Sequence, residues 1–143
     1  MSKIIVSACL AGINCRYDGT NCVDPEVEEL VEQGQAFPIC PEQLGGLPTP
    51  REKSKIVGGN GRDVIEGRAR VVTIKGEDVT RNFLRGARES LKIAKRVRAK
   101  KAILKQKSPS CGYGLIYKGE KLVSGMGVTA ALLAKEKIEI IAI

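Results

Sequence analysis

Ala36-Phe37-Pro38-Ile39-Cys40-Pro41-Glu42-Gln43-Leu44-Gly45-Gly46-Leu47-Pro48 is the stretch around which the rest of the chain is read. Its first four residues read as a short buried strand, and the Gly/Pro-rich remainder as the loop into which that strand runs. Cys40 and Glu42, a thiol and a carboxylate, therefore stand two residues apart where a strand should end. Two other thiols have the same placing. Cys9 follows Lys3-Ile4-Ile5-Val6, and Cys111 comes shortly after Lys101-Ala102-Ile103-Leu104-Lys105. Ligands of α/β sheets bind outside the carboxyl ends of the strands, so three thiols at three strand exits can converge on one point.

Outward from that stretch, strand and helix signals alternate. Lys3 to Ser7 reads as a strand. Asp24-Pro25 reads as an N-cap with proline at the first helical position, and Gly34 as the stop. Arg70 to Lys75 reads as a strand that turns at Lys75-Gly76-Glu77. Leu84, Ala87, Leu91 and Ala94 recur at helical spacing, which predicts a long helix over roughly 79–99 capped by Asp78 or Thr80. A strand over Lys101 to Lys105 follows. Leu115-Ile116-Tyr117 and Lys121-Leu122-Val123 flank Lys118-Gly119-Glu120 as a hairpin. Gly125-Met126-Gly127 opens another helix, and Ile138 to Ile143 is a last strand. The piece from the Cys40 loop through Gly58-Gly59-Asn60-Gly61 shows no regular pattern and is expected to be a lid or a disordered excursion. This order predicts a Rossmann-like three-layer α/β fold, with a central, mostly parallel sheet and helices on both faces. Residues 1–143 are expected to form one domain.

Composition narrows the chemistry. The chain has 143 residues, 43% hydrophobic and 28% charged, with 3% aromatic. No apolar run is long enough to span a membrane, and the start lacks the pattern of a signal peptide, so a cytoplasmic location is expected. There is no histidine, which removes Ser-His-Asp chemistry and leaves any metal to Cys and carboxylates. The five cysteines are Cys9, Cys15, Cys22, Cys40 and Cys111, an odd number that argues against a disulfide framework. The net charge is +8, and many of the basic residues lie on the long helix and its end, at Arg81, Arg85, Arg88, Lys92, Lys95, Arg96, Arg98, Lys100 and Lys101. A solvated helix face accounts for it, and the scarcity of aromatic residues makes nucleic acid a minor expectation.

No Cys-x-x-Cys pair is present, so a metal site has to be gathered by tertiary structure. Soft thiolates select zinc, copper(I) or an iron-sulfur cluster, and three thiolates without histidine leave a fourth position open. Small buried structural cysteines are the alternative. Glu42 and Asp18 are the loop carboxylates placed for acid-base work, although Asp18 also suits a plain Asp-Gly turn. Ser108 and Ser110 flank Pro109 beside Cys111, as relay groups or as turn residues. Gly125-Met126-Gly127 before a helix suits an anion cradle or close packing.

Ser7-Ala8-Cys9-Leu10-Ala11-Gly12, Cys15-Arg16-Tyr17-Asp18-Gly19, Cys40-Pro41-Glu42-Gln43-Leu44-Gly45-Gly46-Leu47, Pro50-Arg51, Gly76-Glu77-Asp78-Val79-Thr80, Ser108-Pro109-Ser110-Cys111-Gly112 and Gly125-Met126-Gly127-Val128-Thr129-Ala130 occur in this order. The ordered set resembles the small bacterial and archaeal family of thiouracil desulfurases over nearly the whole chain. The resemblance implies a non-redox enzyme that holds a four-iron, four-sulfur (4Fe-4S) cluster by three cysteines. It implies that the open iron accepts the sulfur of a thiolated small molecule, such as a thiopyrimidine, while a carboxylate-activated water replaces it. By motif the ligands are Cys9, Cys40 and Cys111. Cys15 is a spare ligand or sulfur-handling thiol, and Cys22 matches no motif. Glu42 is the first choice for the carboxylate, with Asp18 and Ser108 or Ser110 orienting substrate or shuttling protons. Two rivals stand beside this reading. One is a metal-stabilised module that binds RNA or a protein partner through its basic helix, and the other is a sulfur carrier using Cys15.

Overall fold

A computed structural model describes residues 3–118 and 120–143. The centre is a four-stranded, fully parallel sheet of β1 (Ile4–Ser7), β2 (Ala36–Ile39), β5 (Lys101–Leu104) and β8 (Glu139–Ala142), in the order β2-β1-β5-β8. The short apolar runs form these strands because both faces of β1 are buried, which suits continuous rather than alternating hydrophobicity. Ile5, Ile39, Ala102 and Leu104 point to one face, where they pack with Ala94 of α4 (Thr80–Arg96) and Ala130 and Leu133 of α5 (Val128–Lys135). Val6 and Ala36 point to the other face, against Val27 of α1 (Pro25–Glu32).

The signals of the first helix act as read, whereas Val79, not Asp78 or Thr80, takes the N-cap position of α4 and makes no side-chain cap bond. Asp24 caps α1 by accepting from the amides of Glu26 and Val27, and Gly34 leaves it with φ 73°. Asp78 accepts from the amide of Thr80 at the start of α4. The Thr80 hydroxyl accepts from the Val71 amide, tying helix to strand.

Three readings change. The irregular piece carries structure of its own: α2 (Pro41–Leu44), β3 (Ser54–Val57) and α3 (Gly61–Ile65). Elements of four or five residues are too short to show a period. An Asn60/Asp63 capping box starts α3. The strand at Arg70, β4 (Arg70–Thr73), pairs antiparallel with β3 in a separate two-stranded sheet, outside the central one. The hairpin is longer than its apolar pattern, with β6 (Tyr113–Lys118) and β7 (Lys121–Met126). Gly119 of its expected turn lies outside the described residues.

Candidate functional site

All four thiols of the quoted motifs line one cavity of about 700 Å³ at the carboxyl ends of β1, β2 and β5. Cys9 sits in a short 3-10 turn (Ala8–Ala11) directly after β1. Cys40 is the N-cap position of α2 directly after β2. Cys111 closes the loop after β5. Cys15 joins them: its thiol is hydrogen-bonded to those of Cys9 and Cys40, and the Cys40 Sγ reaches the Cys15 carbonyl at 3.7 Å. Cys22 packs beside this group but is not among the cavity-lining residues.

The loop from Lys107 to Gly112 is held on the start of α5. The amides of Val128, Thr129 and Ala130 donate to the carbonyls of Pro109 and Ser110. Gly127 permits this approach, because a Cβ there would lie 2.4 Å from the Ser110 carbonyl carbon. The anion-cradle reading of Gly125-Met126-Gly127 is therefore corrected: the protein's own carbonyls occupy the helix amides, and close packing explains the glycine.

Glu42 lies in the first turn of α2 and lines the cavity. The Arg51 Nε donates to its Oε2 at 2.5 Å, and the Ser110 hydroxyl donates to its Oε1 at 3.0 Å. The Ser108 and Ser110 hydroxyls are 3.3 Å apart, and the Ser108 Oγ accepts from the Cys111 amide at 2.7 Å. A hydroxyl has one proton. With that of Ser110 committed to Glu42, Ser108 has to donate to Ser110, so the chain of bonds is directed from Cys111 to the carboxylate. The helix α2 reaches this place through a backbone contact. A Cβ at Gly86 of α4 would lie 1.9 Å from the Pro41 carbonyl oxygen, and one at Gly45 would lie 2.0 Å from that of Asn82.

Asp18 is not brought into this arrangement. It accepts from the amide and hydroxyl of Thr20 in its own exposed turn and is absent from the cavity lining. Arg51, which sequence reading noted only as part of a motif, is central. Its role rests on the pairing with Glu42, nine positions away, which is visible only once the loops are folded.

Without metal, Cys15, Cys40 and Cys111 are protonated at neutral pH. Burial pushes Cys111 up to about 12, against the lesser pull of hydrogen bonding with the Ser7 and Ser110 hydroxyls. The bond to Cys40 lowers Cys15, but the bond to Cys9 and burial prevail and raise it to about 11. The bond to Cys15 and burial push Cys40 far above the usual thiol range. A cationic metal centre is what would deprotonate such a group. Among the described residues no three Cys, Asp or Glu side chains are set for a single metal ion. Several thiols spread over one cavity wall suit instead a cluster that is larger than one ion, and an all-sulfur donor set suits iron-sulfur chemistry.

A family model described as 2-thiouracil desulfurase matches residues 4–143. The chain belongs to the 2-thiouracil desulfurase family. It is 48% identical over 141 residues to the uncharacterized protein YbbK of Bacillus subtilis (strain 168), covering 96% of this chain and 93% of that one. It is also similar to a solved structure, the [4Fe-4S]-dependent thiouracil desulfidase TudS. The TM-score is 0.87 and the identity 40%, over 99% of this chain and 91% of that one. The α/β architecture expected from the alternation of strands and helices is thus shared with a desulfidase. No helix among the described residues is long and apolar enough to cross a membrane.

Proposed function

We propose that this protein is a [4Fe-4S]-dependent, non-redox desulfidase acting on a thiolated small molecule of the thiopyrimidine class. The net reaction exchanges C=S and water for C=O and hydrogen sulfide, with no change of oxidation state. The observation that carries the reading is the shared wall of the cavity: Cys9, Cys40 and Cys111 border it together with Glu42, whose second oxygen faces Ser110.

Cys9, Cys40 and Cys111 are the residues assigned to hold the cluster. Cys15, against Cys9 and Cys40, is kept as the alternative ligand. When bound, the cluster supplies a thiophilic Lewis acid toward the sulfur of a C=S group. Glu42 acts as the general base that takes a proton from water. Ser110 holds Oε1, and Ser108 in turn holds Ser110, so the carboxylate keeps one orientation. Asp18 has no part in this assignment. The family match from residue 4 to residue 143 supports treating the chain as one desulfurase-like unit. The free cysteines suit the reducing cytoplasm.

Anaerobic reconstitution followed by iron and acid-labile sulfide assay tests the cofactor, and sulfide release from 2-thiouracil tests the reaction. About four of each per chain, as a [4Fe-4S] centre requires, with stoichiometric sulfide and uracil, is the expected result. Failure to take up iron overturns the proposal. Cluster uptake without sulfide release from thiolated bases leaves a binding protein in its place.

A further inference from the structure

The Arg51 guanidinium is 6% exposed and spends four of its N–H groups on three segments. Nε goes to Glu42, Nη1 to the Pro48 carbonyl and the Thr49 hydroxyl, and Nη2 to the Cys15 carbonyl at 2.8 Å. The Arg51 amide also donates to the Tyr17 carbonyl at 2.8 Å. One residue therefore clamps the 15–17 loop twice and the carboxylate once. Glu42 and Cys15 come from separate elements, and no hydrogen bond joins them directly.

We propose that Arg51 is the positioning residue of this site, a clasp that sets the Glu42 carboxylate relative to the Cys15–Cys40 thiol wall. The assignment rests on the desulfidase reading for its catalytic part and on geometry alone for its clasping part. A planar fork is required. Lysine has its donors at one point and reaches either the carboxylate or the loop carbonyl, not both. The clasp works by orientation, and a displacement of about 1 Å at a reacting group costs about 100-fold in rate. Arg51 lines both the main cavity and a second one of about 430 Å³, so its removal opens a place that a free guanidinium ion fits.

Arg51→Ala and Arg51→Lys, compared with the natural protein, test this. In metal-free protein, iodoacetamide should alkylate Cys15 and Cys40 faster in R51A, and guanidinium well below denaturing concentration should restore protection where ethylammonium does not. In cluster-loaded protein, R51A should keep its iron and sulfide content and its KM for 2-thiouracil while kcat falls about 100-fold. Guanidinium should return part of it, and R51K should stay impaired. Unchanged alkylation, full activity in R51K, or loss of activity only in proportion to lost iron overturns the proposal. Absence of sulfide release by the natural protein overturns the desulfidase reading instead, and the alkylation rates still decide whether Arg51 clasps the loop.

Discussion

Glu42 and the two serines make distinguishable contributions because their hydrogen bonds have a direction. Glu42→Gln keeps the shape and removes the base. It should lower kcat by roughly 100- to 10,000-fold, the usual worth of a general base, with iron content unchanged by metal assay. Ser110→Ala removes the bond to Oε1 and should lower kcat more than Ser108→Ala, which leaves that bond in place and frees the Cys111 amide. Steady-state kinetics on both variants checks the order. The thiols give a pH effect of defined sign. Cys15 and Cys111 are raised above the ordinary thiol value of 9.0, to about 11 and about 12. Groups raised in this way bind more protons in the folded state, so their contribution to stability is full below pH 9 and is lost as pH rises through 11 to 12. Thermal unfolding of metal-free protein should show a midpoint that falls across that window, with a shallower fall in Cys111→Ser.

At the scale of elements, the contact between α2 and α4 governs where Glu42 stands. Gly86→Ala drives a methyl group into the Pro41 carbonyl oxygen. It should cost roughly 1–3 kcal/mol, the usual cost of overpacking, and should displace Glu42 as well. Chemical denaturation and activity should therefore fall together. The outer face of α4 behaves differently. Arg85, Arg88 and Lys92 are exposed, and the only ion pair among these three within the described residues joins Lys92 to Glu89. Replacing all three with glutamine should leave kcat within about twofold, because substitutions on an exposed face away from a site change little. A large loss would bring back the reading of α4 as the functional surface.

Over the whole molecule, the parallel sheet does the gathering. Strands β1, β2 and β5 are neighbours that run the same way, so their carboxyl ends share one edge and residues separated by about a hundred positions meet there. Ser7 shows the same effect beside the thiols: its hydroxyl accepts from the Lys105 amide at 2.9 Å and holds β1 to the exit of β5.

Much of this was legible in the sequence. Short β-branched runs alternating with a strongly periodic helix specify a parallel α/β sheet, because each pattern buries itself in only one kind of element. Thiols just past three such runs already pointed to the edge where they meet. Tertiary structure alone decided the rest. It brought Cys15 among the other thiols and left Asp18 in its turn. It also filled the irregular segment with β3 and α3 and placed Arg51 between the Cys15 carbonyl and the Glu42 carboxylate. These outcomes depend on contacts between residues tens of positions apart, which local propensity and spacing do not encode, and on backbone approaches such as Gly86 to Pro41 that become visible only when two helices touch.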